Sequence, residues 1–390
     1  MSSQEFKLQK DERQNRKQLY EKVTEAFAEK YSFLGYQVAS NCLLSVASWN
    51  LEKYSDPPMR YRNHVMLTWA PGWVKSTMLI KMKKILGDEM VSTCGKVTDA
   101  TLRGSVQGGR FTPPKPLRTP ILVSTEFGQT EFEGELLHQF LNLLEEGRSN
   151  VSLNKIAQLS NTERSDIREK YNGEIEFKAE NEYTLNTDFV FWGATHDPSI
   201  LNENALKSRF MVVTPSQPLT GEVTKAMDNS PPVESLLNQS TVKGVRNAVM
   251  SEQEAETDFK PPDSFYTEYS LKPREARDLQ AYMAARNWWG LSTSPEVMEK
   301  YIEHLKWSRK KASLSKEEQV LEMIFDNPMS YEEIAGQTGL TDVEVYKICE
   351  RIGAKRLTLD SDEPKWVVRS GMSQEAEEAK EKAQEFLEDV

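Results

Sequence analysis

Apolar side chains at Leu19, Val23 and Phe27 recur every four residues within the charged stretch 5–31, and this spacing predicts an amphipathic helix packed on the next domain. From about 40 to 215 the pattern changes. Short apolar runs, HVMLTWA (64–70), PILVSTEF (120–127) and DFVFWGAT (188–195), are each followed by turn residues and then a helical period. Such alternation predicts an α/β fold with a mostly parallel sheet flanked by helices. Prolines then cluster at 215, 218, 231, 232, 261, 262 and 273, which reads as linker around one or two short helices. A helical period returns over 273–307, and a basic run, RKKAS, leads into a compact terminal unit. In that unit LSKEEQVLEMIFDNP reads as an amphipathic helix. Ser330 with Glu333 and Thr341 with Glu344 read as capping boxes opening two more, and KRLTL, DSDEP and KWVVR as a hairpin. The expected division is an N-terminal helical segment (1–40), an α/β subdomain (41–215), a linker and helical lid (216–312), a winged helix (314–370) and an acidic tail (371–390).

Composition adds limits. The 390 residues, 38% of them hydrophobic, are enough for two or three domains with real cores. The apolar runs are far shorter than the roughly 18 residues of a membrane span and the first residues are charged, so no membrane partner and a cytoplasmic location are expected. Cys42, Cys94 and Cys349 and the four histidines are scattered, without the spacing of a disulfide framework or a metal site. A net charge of −11 argues against a partner held by global electrostatics. The last twenty residues, however, hold seven acids against two lysines and so supply −5 of it. The third helix of the terminal unit carries Asp342, Glu344 and Glu350, poor company for a phosphate backbone, so any DNA contact there rests on Lys355, Arg356, Lys365 and Arg369 of the hairpin.

The stretch MLTWAPGWVKSTMLIKMKKIL (66–86) carries the candidate chemistry. A phosphate loop works by aiming backbone N–H groups at a helix N-terminus, together with one lysine, at the β and γ phosphates while a hydroxyl holds Mg²⁺. Here a strand ends near Trp69, the turn Pro71, Gly72, Trp73, Val74 comes next, and a helix begins at Lys75, Ser76 and Thr77. Trp69 and Val74 stand where glycines are commonest, so the strict motif is absent while its strand, loop and helix context is kept. Gly72 is the residue expected to need unusual backbone angles. ILVSTEF has the form of a second nucleotide-site strand ending in an acid, Glu126, able to orient water. FVFWGATHDP ends in polar residues at the same sheet edge, and NALKSRF comes after it with Arg209.

Taken in order, these segments resemble the AAA+ core of the minichromosome maintenance (MCM) helicases, of the archaeal plasmid or virus type. WAPGWVKS is similar to that family's phosphate loop, ATLRGSV (100–106) to the stretch before its Walker B strand, and STEF to its Walker B end. LLHQFLNLLEEG resembles its L-H-E helix, EFKA and TLNTD its hairpin before sensor 1, ATHDP its sensor 1, KSRF its finger motif, and LKPREARDLQAYMAAR its sensor 2 helix. The resemblance implies an AAA+ P-loop ATPase using ATP and Mg²⁺, with Lys75 on phosphates, Ser76 on the metal, Glu126 polarising water and His196 or Thr195 as sensor 1. Arg209 would reach a neighbouring subunit's nucleotide and Arg274 would sense the γ phosphate. Lys178 would touch DNA, with Lys155 as runner-up. A homo-hexameric ring acting on single- or double-stranded DNA alongside other replication proteins is expected. Thr125 departs from the family's Mg²⁺-associated aspartate, which predicts slow hydrolysis. Three other readings stand beside the helicase: an origin-recognition initiator or helicase loader, a nucleotide-dependent scaffold, and a protein-remodelling motor.

Overall fold

The computed structural model describes residues 3–52, 62–69, 74–128, 134–195, 204–215, 229–251, 259, 262–311, 314–325, 328–338, 340–357 and 365–367. At the centre lie five strands, β1 (His64–Thr68), β2 (Val91–Cys94), β3 (Ile121–Ser124), β4 (Val190–Thr195) and β5 (Phe210–Val213). They form one all-parallel sheet in the order β5-β1-β4-β3-β2. The expected α/β class with a parallel, helix-flanked sheet is therefore what forms. β1, β3, β4 and β5 are buried along their whole length, because helices cover both faces of the sheet, and such strands read as apolar runs. The three runs named from sequence are β1, β3 and β4. β2 escaped notice because Ser92 and Thr93 interrupt its apolar pattern, whereas β5, FMVV before Thr214 and Pro215, carried a signal that could have been read.

The sheet divides two apolar cores. On one face Val65, Leu67, Val123, Trp192 and Met211 pack with the helices α1 (Ser3–Glu52), α2 (Lys75–Leu86), α4 (Gln239–Met250) and α5 (Pro273–Trp288). On the other, Met66, Leu122, Phe191, Phe210 and Val212 pack with Phe140, Leu143 and Leu144 of α3 (Gly134–Glu145). Successive residues of one strand thus serve opposite cores, as the two-residue repeat of a strand requires.

The helix expected over 5–31 runs on to Glu52, past the boundary drawn at residue 40, and kinks at Tyr31 and Ser32, where Ser32 takes φ 55°. Its second half lies against the sheet: Ser45 Oγ accepts a 2.9 Å bond from Trp192 Nε1. Its first half is tied to α5, with Arg16 Nε donating to the Trp288 carbonyl at 2.6 Å and Arg13 bonded to Asn287.

Three smaller antiparallel sheets accompany the central one among the described residues, the smallest pairing Ser105–Gln107 with Arg110–Thr112. Arg148–Ser152, Glu182–Asn186 and Ile175–Ala179 form one, in that spatial order, with a helix over Asn161–Lys170 between the first strand and the hairpin. The segment 314–367 forms three helices, Lys316–Ile324, Tyr331–Thr338 and Asp342–Arg351, around their own core of Val320, Ile324, Ile334, Val345, Ile348 and Trp366. A three-stranded sheet of Met329–Ser330, Lys365–Val367 and Lys355–Leu357 completes it. Both capping boxes read there are present: Ser330 with Glu333 and Thr341 with Glu344 exchange backbone and side-chain bonds. Among the described residues no helix is long and apolar enough to cross a membrane.

Candidate phosphate site and arginine cluster

The C-terminal edge of the sheet gathers one set of predicted residues. β1 ends at Thr68, Pro71, Gly72 and Trp73 lie outside the described residues, and α2 begins at Lys75. Val74, the residue before the helix, has φ 52° and ψ 11° and no side-chain cap. That left-handed geometry costs a non-glycine residue about 1–2 kcal/mol, and a β-branched one is a genuine outlier there. The expectation that unusual angles would fall on Gly72 is corrected to this extent: Val74 takes one. The first amides of α2, just beyond it, have no partner within the helix.

Lys75 is only 7% exposed. Its Nζ donates to the Trp69 carbonyl and lies 5.4 Å from the Trp69 ring centroid. Burial draws its pKa from 10.5 down to about 8, roughly 3 kcal/mol of lost hydration. A desolvated ammonium at a helix N-terminus gains most from an anion. Ser76 Oγ donates 2.9 Å to the backbone carbonyl of Thr125, bridging α2 to the end of β3 across β4. The Thr125 hydroxyl turns the other way, toward the Cys94 carbonyl at 3.4 Å. The link between Ser76 and residue 125 thus runs through main chain, with the Thr125 side chain turned away from Ser76. Glu126 comes next, exposed, its N–H bonded to Gly95 O at 2.9 Å. Thr195 ends β4 opposite Thr68 and is buried, while His196 lies outside the described residues. Thr77 is exposed on α2.

The other two predicted catalytic residues are elsewhere. Arg209 immediately precedes β5, whose Phe210 is level with His64 at the start of β1, so it belongs to the N-terminal edge. The edges are separated by the five residues of β1, about 17 Å at ~3.3 Å per residue. Arg209 ion-pairs with Glu145 at the end of α3, and Arg274 of α5 ion-pairs with the other oxygen of the same carboxylate. Arg274 also donates to Ser208 Oγ at 2.7 Å. Neither arginine is placed to touch a phosphate on its own chain's loop. Arg309, which opens the basic run RKKAS and was given no site role from sequence, donates to the Ser208 carbonyl at 3.0 Å and to Asp278 at 2.7 Å, pinning the segment that carries Arg209. Beneath them, His64 Nδ1 accepts the Phe191 amide at 3.0 Å, so Nε2 carries the proton and donates to the Leu144 carbonyl at 3.0 Å.

The DNA candidates lie apart from both edges. Lys178 is exposed and is the unpaired residue of a β-bulge, since Phe177 faces Tyr183 and Ala179 faces Glu182. Exposed Glu176, Glu180 and Glu182 surround it in sequence. Arg164 braces this hairpin, stacking 5.6 Å from the Phe177 ring and donating to the Glu180 and Ile156 carbonyls. Lys155 is exposed on the turn of Asn154–Gln158. Lys355, Arg356 and Lys365 fall on the two paired strands of the terminal unit, and Arg369 lies outside the described residues. No protein-family model matches the chain, and a search of curated proteins gives no match.

Proposed function

We propose that this protein is an ATP- and Mg²⁺-dependent AAA+ ring ATPase that acts on DNA, of the MCM-like helicase or translocase type, with a helical lid and a C-terminal winged helix. The observation that carries the reading is the C-terminal edge: a strand, a left-handed turn and a helix opening on a buried lysine, joined by Ser76 to the end of the strand that bears Glu126. In this reading the α2 amides and Lys75 hold the β and γ phosphates. Ser76 exchanges its bond to the Thr125 carbonyl for a place on the metal, which would spread charge over the transferring phosphoryl oxygens. Glu126 orients the attacking water and Thr195 or His196 fixes its position. Arg209 and Arg274 serve a neighbouring copy, about 17 Å being too far for them to serve their own.

A nucleotide-dependent scaffold is the second reading, favoured by a threonine at 125 whose hydroxyl turns toward the Cys94 carbonyl rather than a carboxylate facing Ser76. Calorimetry of Mg-ATP with the wild type and Lys75→Ala, followed by turnover with and without single- and double-stranded DNA, tests both. Uptake lost in Lys75→Ala and turnover stimulated by DNA are expected. Equal uptake by the two proteins would sink the nucleotide site, and binding without turnover would favour the scaffold.

A further inference from the structure

Glu145 sits in an unusual place for a carboxylate. It is the last residue of α3, where the helix dipole disfavours negative charge, and no basic residue of the helix's own last turn offsets it. What holds it is a set of arginines from elsewhere: Arg209 on one oxygen, Arg274 on the other, and Arg277 at 3.8 Å. Three guanidinium groups thus converge on one carboxylate. Burial alone would raise the Glu145 pKa, but the bonds from Arg274 and the charge of Arg209 hold it below the ordinary carboxylate range, so it stays ionised.

The contact is also open to exchange. The Glu145 side chain is 32% exposed, with Arg274 at 31% and Arg277 at 54%, so water reaches the carboxylate although Arg209, at 12%, is largely covered, and solvent-contacting ion pairs contribute little to stability. A terminal phosphoryl group carries about two negative charges and three acceptor oxygens, which matches three guanidinium groups better than a single carboxylate does. Arg209 and Arg274 are meanwhile pre-positioned around Ser208 by Arg309 and Asp278, so an anion replacing Glu145 meets donors already in place.

We infer that Glu145 is a resident counter-ion that Arg209, Arg274 and Arg277 exchange for the terminal phosphate of a nucleotide held by a second copy of the chain. The inference rests on the proposed ATPase reading, and it makes Glu145 a brake and Arg277 a third receiving group. In an isolated copy the carboxylate occupies the arginines, and in an assembly a nucleotide-loaded neighbour displaces it.

Inorganic tripolyphosphate, titrated by calorimetry into chains whose own loop is disabled by Lys75→Ala, tests the exchange without relying on catalysis. Lys75→Ala with Glu145→Gln should bind it about tenfold more tightly than Lys75→Ala alone, and the gain should vanish when Arg209→Ala is added and shrink with Arg277→Ala. An affinity unchanged by Glu145→Gln, in protein whose circular dichroism matches the wild type, overturns the idea. A gain for a duplex oligonucleotide equal to that for tripolyphosphate overturns the assignment to a neighbour's nucleotide. As a second readout, Glu145→Gln on the otherwise unaltered chain should lower the concentration at which Mg-ATP drives self-association, measured by sedimentation, and a rise would count against the brake. Failure of the ATPase reading is distinct: it is loss of Lys75-dependent Mg-ATP uptake in the wild type, which the tripolyphosphate titration does not use.

Discussion

In the proposed reading the two edges of the central sheet attract anions by different means. At the C-terminal edge the attraction is built from the backbone: the left-handed Val74, the first amides of α2 and one desolvated lysine, all within a few residues of one another. At the N-terminal edge it is built from side chains, with Arg209, Arg274 and Glu145 arriving from three separate elements. A backbone site needs little beyond its own loop to take shape, whereas a side-chain site depends on the packing of everything that delivers it. The distance between them teaches more. Both sets lie on one chain about 17 Å apart, so in the proposed ATPase a complete site would need a second copy.

The largest expected effect comes from cutting one half away. Arg209→Ala should leave Mg-ATP uptake intact and lower turnover by about 10³-fold, the usual value of such an arginine. Mixing it with Lys75→Ala chains should restore part of the rate, because some interfaces would then pair an intact loop with an intact arginine. A mixture no faster than the sum of its parts would show that the edges do not complete one another.

Acid should distinguish the edges next. His64 is held neutral under the end of α3, and burial, outweighing its bond to Leu144, lowers its pKa from 6.5 to about 3. Between those values the unfolded chain binds the proton and the folded chain does not, so stability is full above pH 6.5 and falls as pH drops toward 3. The slope is roughly 1.4 kcal/mol per pH unit. Thermal melts from pH 7 to 4.5 should show this decline, and His64→Gln should flatten it; an unchanged slope would acquit His64.

Smaller changes sharpen the C-terminal edge. Thr125→Asp supplies a carboxylate near Ser76 and should raise turnover roughly tenfold, about 1.4 kcal/mol of barrier; a lower rate in steady-state assays would mean that the main-chain link at residue 125 is what matters. Val74→Gly should relieve the left-handed strain for a net gain of roughly 0.5–1 kcal/mol after glycine's greater unfolded-state entropy. Urea unfolding would measure it, and a loss of stability would show that Val74 contributes more by packing than it costs in backbone strain.

The same contrast explains what could be read from the sequence. Capping boxes such as Thr341 with Glu344, the helix opening at Lys75 and the apolar runs of β1, β3 and β4 are local patterns, and the chain writes them within a few residues. Arg209 was singled out by its neighbours in sequence, but its partner Glu145 is 64 residues away and Arg274 is 129 residues from the same carboxylate. Nothing in periodicity or propensity joins such residues, since their meeting is decided by how α3, β5 and α5 pack. The kink at Tyr31 and Ser32 was hidden for a related reason. Neither residue is a helix breaker, and the bend results from the two halves of α1 docking on different parts of the body.

That docking has a consequence for how the protein is made. The first half of α1 is fastened to residues that come 272 to 274 positions later in the chain. At roughly 5–20 residues per second, the ribosome needs about 15–50 s to supply them. During that interval the stripe of Leu19, Val23 and Phe27, later fully or nearly fully enclosed, has emerged while α4 and α5, both packed on α1, have yet to be synthesised. A helix made more than 270 residues before its partners is thus among the last to find its seat.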